Sequence, residues 1–182
     1  TQNKGTHGNL DDPDLDPFWE MAAELRVPII IHPMFGSDDA RLQDMQMMNA
    51  VGRVCDVSVA ISRMLFTGHL TRFEGVVVVA STGGGALPYM LGRLERNHKA
   101  FPNQVVDPVE QFHELYFDSI VFQPDVLRFL TGKVGVDRVM LGSDYPFPIG
   151  DQDPRKVIEM AGYADADVEA MLTGNARRVF GV

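Results

Sequence analysis

Four short apolar runs in this chain each stop at a residue able to do chemistry. Residues 27–31 are followed by His32, 76–80 by Ser81 and Thr82, 115–117 by Asp118, and 139–142 by Ser143 and Asp144. A neutral imidazole and a carboxylate are ordinary ligands for zinc, manganese or a similar divalent ion. An ion held in this way lowers the pKa of bound water or polarises a carbonyl. His32 and Asp144 are therefore candidate metal ligands, although a catalytic zinc usually takes three protein ligands. Plainer readings stay open at this stage. A His after a strand often just faces solvent, and an Asp there often forms a turn or caps a helix. Gly83-Gly84-Gly85 reads as a tight strand-to-helix turn whose backbone N–H groups are also able to face an anion. It has neither P-loop nor dinucleotide-binding spacing.

Residues this far apart in sequence meet only if the fold brings strand ends together. The four runs are too short for helices and rich in β-branched or aromatic residues, so they read as strands. They do not alternate with polar residues, which suits parallel strands buried on both faces. Helical spacing is expected over 15–26, through Phe18, Met21, Ala22 and Leu25, and over 57–73, through Ile61, Leu65 and Phe66. It is expected again over 88–98, 125–133, 154–161, 165–172 and 175–180, with Asn175 as an N-cap. Alternating strands and helices predict an α/β fold with right-handed crossovers, in which the carboxyl ends of the strands share one face. No internal repeat or low-complexity linker divides the chain, so residues 1–182 are expected to form one unit.

Composition narrows the function classes. The chain has 182 residues, 45% of them hydrophobic, and a formal net charge of −9. An acidic chain without a basic block argues against nucleic acid and against an anionic membrane surface as partners. No apolar run approaches the length of a membrane span. The single cysteine, Cys55, cannot form an internal disulfide. With no signal-peptide pattern at the start, this predicts a cytoplasmic protein. Trp19 is expected in the core; His69, His98 and His113 on the surface. His7, in Gly5-Thr6-His7-Gly8, has an open role. The acidic cluster Asp11, Asp12, Asp14 and Asp16 reads as a helix-entry loop. The Met-rich stretch 34–50 reads as a loop and short helix over the sheet.

Four motifs in order carry a family resemblance. They are Leu10-Asp11-Asp12-Pro13 leading to Val27-Pro28-Ile29-Ile30-Ile31-His32-Pro33; Gly83-Gly84-Gly85-Ala86-Leu87-Pro88-Tyr89 with Gly92-Arg93; Val139-Met140-Leu141-Gly142-Ser143-Asp144-Tyr145-Pro146; and Asn175-Ala176-Arg177-Arg178-Val179-Phe180-Gly181. Together they resemble the amidohydrolase-related family, which includes aminocarboxymuconate-semialdehyde decarboxylase and the resorcylate decarboxylases. The resemblance runs over essentially the whole chain.

The resemblance implies a metal-dependent (β/α)8 barrel, with this chain as its C-terminal portion, about strands five to eight. It implies His32 and Asp144 as metal ligands, with zinc or manganese as the ion. It implies Arg93 as a residue that reaches a neighbouring subunit's site and binds a substrate carboxylate, and hence a homo-oligomer such as a dimer. A guanidinium suits a carboxylate because two parallel charge-assisted hydrogen bonds form at once. The implied activity is that of a decarboxylase or hydrolase acting on a small carboxylated compound. Two departures stand out. The family's first-strand His-x-His or Glu-x-His pair is not found here. Thr82 stands where the family has a His that acts as acid or base. A threonine hydroxyl cannot do that near neutral pH, so Thr82 is expected to hydrogen-bond substrate or water, with proton transfer falling to Asp144 or to a residue outside this chain. The alternative implied by the departures is a non-catalytic or partial barrel that binds a small ligand.

Overall fold

The four apolar runs pair edge to edge as strands and helices pack on them, although the expected cover on both faces is incomplete in the first run, where Ile30 is 54% exposed. The structure is a computed structural model that describes residues 8–34 and 39–182. Strands β1 (Pro28–Ile31), β2 (Val77–Ala80), β3 (Tyr116–Asp118) and β4 (Val139–Met140) form one sheet in the order β1-β2-β3-β4. All three pairings are parallel. The register sets Ile31 beside Ala80, Ala80 beside Phe117, and Asp118 beside Met140. The polar residue after each run therefore emerges at the same end of the sheet.

Helices occupy the connections, as parallel pairing requires. In chain order they are α1 (Asp16–Leu25), α2 (Arg53–Phe66), α3 (His69–Arg72), α4 (Leu87–Ala100), α5 (Val109–Glu114), α6 (Pro124–Val134), α7 (Pro154–Glu159), α8 (Asp165–Glu169) and α9 (Asn175–Phe180). Their apolar stripes supply the core. Val57, Ala60, Ile61, Met64 and Leu65 of α2 recur at helical spacing and are all buried. Val57, Ile61, Met64 and Leu65 share one core cluster with Leu87 and Leu94 of α4, Leu127 and Leu130 of α6, and Phe112 and Phe117. Among the described residues no helix is long and apolar enough to cross a membrane.

The acidic entry loop behaves as its composition suggests. Asp12 accepts a hydrogen bond from the Asp14 N–H and caps the turn Pro13–Leu15. Asp11 pairs with Arg63, and Asp16 with Arg72, which ties the start of α1 to α2 and α3. Trp19 is buried, and its indole N–H donates to the Leu10 carbonyl at 2.8 Å. Of the stripe expected on this helix only Ala22 is buried; Phe18, Met21 and Leu25 are exposed, because Trp19 and Ala22 set the packed face.

Other expectations need correction. The helix expected over 57–73 begins earlier and stops at Phe66, because Gly68 takes a left-handed conformation (φ 70°) that starts the separate turn of α3. His69 is not on the surface. It is 2% exposed, with its ring edge-on to Trp19 at 4.6 Å between centroids and tilted against Phe73 at 4.7 Å. Three carbons of an imidazole and an aromatic quadrupole make it a serviceable core residue when neutral. Asn175 is no N-cap. The helix is entered from a π-helical turn, Ala170–Gly174, and Asn175 is fully buried. Its Nδ2 donates to the carbonyls of Val136 at 2.8 Å and Val139 at 2.6 Å, which fastens α9 to the entry of β4. Within 40–52 lie two short helical turns, Ala40–Leu42 and Met48–Gly52; residues 35–38 of the Met-rich stretch, and His7, lie outside the described residues.

Removing the Asn175 amide leaves two carbonyls without their donor, and a buried polar group so stranded costs about 1–3 kcal/mol. Asn175→Ala is expected to lower unfolding free energy by about 2–3 kcal/mol, read as a shifted urea midpoint at unchanged slope. A midpoint equal to that of the parent protein would contradict the role given to this amide.

Candidate metal and substrate site

The shared strand-end face holds a cavity of about 290 Å³, and His32, Thr82 and Asp144 all line it. His32 and Asp144 stand 112 positions apart in sequence, yet His32 Nε2 lies 3.0 Å from Asp144 Oδ1. The Asp144 side chain is 12% exposed and that of His32 43%, so the carboxylate sits deeper and the imidazole nearer solvent. The Phe147 ring stacks on the imidazole at 6.0 Å and 21° between planes, which limits its rotation.

The other ring nitrogen decides the chemistry of the pair. His32 Nδ1 lies 3.1 Å from the Pro33 carbonyl, which only accepts, so Nδ1 carries the proton. In the neutral ring Nε2 then presents a lone pair to a carboxylate oxygen. Two acceptors at hydrogen-bond distance need a proton or a cation between them. A backbone carbonyl on the outer nitrogen is the usual arrangement for a metal-bound histidine. The separation also fits: two donors each about 2.1 Å from one ion at about a right angle stand about 3 Å apart. The pair thus has the donor types, tautomer and spacing to share a divalent ion. Among the described residues no group of three or more His, Cys, Asp or Glu is placed to hold a metal, so His32 and Asp144 stand as two candidate ligands.

Thr82 reaches the cavity but its hydroxyl is engaged. Thr82 Oγ1 donates to the Ser81 carbonyl at 2.7 Å, leaving only lone pairs for anything in the cavity. Its backbone is in the left-handed region at φ 53°, an unusual state for a β-branched residue. Phe122 (φ 59°) and Asp144 (φ 58°), which line the same cavity, share that conformation. Three strained residues around one cavity are the pattern expected of a functional site.

Asp118 holds this strain in place. At the end of β3 its Oδ2 accepts from the Thr82 N–H at 2.9 Å, and Oδ1 accepts from Gly83 at 2.7 Å and Ile120 at 3.1 Å. The neighbouring Ser119 Oγ accepts from the Gly142 N–H, so the end of β4 is tied to the same spot. Gly142 permits the approach, since a Cβ there would stand 2.8 Å from that of Asp118. Burial pushes the Asp118 carboxyl up to about 6, against the pull of its three N–H donors.

Arg93 is not brought to this cavity. It is exposed on α4 and lines a separate recess with Met90, Arg96 and Phe101. Two lining residues escaped sequence reasoning: Asn49, in the π-helical turn Met48–Gly52, and Arg53, the first residue of α2. Their four-residue spacing beside a Met-rich loop was the available signal.

Comparison with known proteins places this geometry. A family model for amidohydrolases matches residues 2–182. The chain belongs to the amidohydrolase family. It is 35% identical over 182 residues to a 2-amino-3-carboxymuconate-6-semialdehyde decarboxylase of Dictyostelium discoideum, covering 96% of this chain and 50% of that protein. It resembles the crystal structure of 5-carboxyvanillate decarboxylase from Sphingomonas paucimobilis with a TM-score of 0.85 and 27% identity, covering 96% of this chain and 55% of the other. It shares the fold of a dihydroxybenzoic acid decarboxylase from Polaromonas sp. JS666 that was solved with manganese and 2-nitroresorcinol, with a TM-score of 0.81 and 22% identity, covering 95% of this chain and 55% of the other. The chain thus spans about half the length of the relatives it matches, and its four-stranded parallel sheet is part of a TIM-barrel fold.

Two buried groups give this amidohydrolase chain opposing pH responses. Burial pulls the His69 imidazole down to about 4 from its usual 6.5, so it contributes stability above about pH 6.5 that is lost as pH falls toward 4. Asp118 is raised, so its folded form takes up a proton more readily than the unfolded chain, and stability falls as pH rises from about 4 to 6. Each effect is on the order of 3 kcal/mol. Metal-free protein is expected to change little between pH 4 and 6, whereas His69→Phe gains stability on acidification and Asp118→Asn loses it. Thermal midpoints across that range check both signs; parallel curves for parent and variants would refute the assignment.

Proposed function

We propose that this chain supplies the strand-end face of a metal-dependent decarboxylase acting on a small carboxylated compound. The observation that carries the reading is the His32 Nε2–Asp144 Oδ1 separation of 3.0 Å in a cavity of about 290 Å³. The relatives support it, being named for decarboxylation of carboxylated muconate and aromatic compounds. A divalent ion held by His32 and Asp144 would supply a positive centre that orients the substrate and stabilises developing negative charge. Manganese, bound in the Polaromonas structure, fits an imidazole and carboxylate set as well as zinc does.

The chain's own residues divide the remaining tasks. His32 is held in one tautomer by the Pro33 carbonyl and against rotation by Phe147. Asp144 is set at the inner side of the pair. Thr82 offers only acceptor lone pairs, so it positions substrate or water and moves no proton. Arg93, exposed on α4, would act only across a subunit boundary, and a dimer is the assembly that this role requires.

Two measurements test the reading. His32→Ala and Asp144→Ala are each expected to lower bound manganese or zinc by at least about tenfold, since loss of one ligand removes more than 1.4 kcal/mol of binding, with the thermal midpoint of the metal-free protein little changed. Unchanged metal content in both variants would remove the basis of the proposal. Thr82→His is expected to fold at least as well, since His tolerates the left-handed region better than a β-branched residue. It is also expected to raise decarboxylation by about 10²-fold, the lower range of acid–base assistance. Metal-loaded Thr82→His with no gain in rate would mean that residue 82 does not limit proton transfer.

A further inference from the structure

An acidic chain must provide local positive charge wherever it receives an anion. With a net charge of −9, the field of the whole molecule repels a carboxylate rather than drawing it in. Among the described residues that line the cavity with His32 and Asp144, the one Arg or Lys is Arg53. It is half-buried, where a guanidinium acts on a ligand with less screening than at the open surface.

Arg53 is also firmly placed. The first turns of α2 are wedged between the ends of β1 and β2. On one side Asp56 Oδ2 accepts from the Met34 N–H, two residues beyond His32. On the other, Ser58 Oγ accepts from the Ala86 N–H at 2.9 Å while donating to the Val54 carbonyl. Gly85 allows this closeness, because a Cβ there would lie 2.6 Å from both Ser58 Oγ and the Val54 carbonyl oxygen. These contacts leave the start of α2 little freedom to move relative to the metal-ligand pair. The π-helical turn Met48–Gly52 immediately before it, a rare feature that recurs at functional sites, carries Asn49 onto the same cavity wall. Asn49 Oδ1 is buried and, among the described residues, meets no hydrogen-bond donor. A buried amide oxygen left so is costly, and a ligand's hydroxyl or amino group would satisfy it.

We infer that Arg53, with Asn49 beside it, is the element by which this chain recognises the substrate carboxylate inside its own cavity. The guanidinium donates two parallel hydrogen bonds to the carboxylate, and the Asn49 amide oxygen accepts from a hydroxyl or amino group next to it. Arg53 is thus a substrate-binding residue, and a role for Arg93 is confined to another subunit. The inference rests on the decarboxylase reading above for the nature of the substrate.

The test uses the full-length, manganese-loaded protein, with 2,6-dihydroxybenzoate as the probe and 2,6-dihydroxybenzamide as its uncharged counterpart, titrated calorimetrically. Arg53→Gln is expected to weaken the carboxylate at least tenfold and the amide less than threefold. Arg53→Lys should recover part of the loss, because it keeps the charge but not the fork. Asn49→Leu should weaken both ligands several-fold, since both carry the hydroxyl. Bound manganese and thermal midpoint are measured on every variant. Equal carboxylate affinity in wild type and a folded, manganese-loaded Arg53→Gln overturns the role of Arg53 and leaves the decarboxylase reading standing. No binding of the carboxylate by manganese-loaded wild type overturns the substrate class and the inference with it.

Discussion

The site depends on one carboxylate that does not line its cavity. Asp118 accepts three backbone N–H bonds, from Thr82, Gly83 and Ile120, and so joins the end of β3 to the turn after β2. Parallel pairing alone brings strand ends to the same side; it does not fix the loops that leave them. Those loops carry residues 82, 122 and 144 in left-handed conformations, each costing of order 1–3 kcal/mol. Such a conformation persists only when its surroundings over-determine it. At Thr82 the over-determination is visible: the N–H is held by Asp118 and the hydroxyl by the residue's own neighbour, Ser81. At β4 it comes through Ser119 and the close fit of Gly142.

This arrangement explains which parts of the molecule were legible in its sequence. Continuous Val and Ile runs mark parallel strands because they are too short for helices and rich in β-branched residues, although Ile30 of β1 keeps one side exposed. Given parallel strands, the polar residue after each run must appear on one face, and the meeting of His32 with Asp144 comes from that despite their separation. What the runs do not show is how a polar residue at a strand end will be used. Asp118 and Asp144 stand after equivalent strands, yet one is consumed by backbone donors and the other lines the cavity. The difference lies in the loop geometry after β2, which no local pattern encodes. The burial of His69 is hidden for a related reason. Its neighbours Gly68 and Arg72 read as surface residues, and only the packing of α1 across α3, through Trp19, encloses the ring. Asn175 reads as a cap because helix-entry statistics favour it there. Its actual partners, the carbonyls of Val136 and Val139, lie 39 and 36 positions away.

Arg53 and Asn49 are hard to find in the sequence because the pattern that defines α2 begins after them. The buried apolar stripe of α2 starts at Val57, and Asn49 and Arg53 lie ahead of it. A π-helical turn adds a residue to the turn and shifts the phase of the helix beyond it. Asn49 and Arg53 are four positions apart, which sets both on one helical face, and that face forms part of the cavity wall.

The identity of the proton carrier is narrowed by counting the groups that line the cavity. Among the described lining residues the titratable groups are His32, Asp144 and Arg53. Arginine stays charged throughout the accessible pH range. In the proposed role, with His32 and Asp144 sharing one ion, both would stay deprotonated at the atoms that bind it. The Thr82 hydroxyl donates to Ser81 and is too weak an acid to serve near neutral pH. A site built in this way binds and polarises more readily than it shuttles protons. Decarboxylation, in which the electron pair left by departing CO2 must be protonated, would then draw its proton from solvent or from a group outside this wall. That division of labour, with placement and charge on this face and protons from elsewhere, accounts for a threonine at position 82 without requiring that the site be inert.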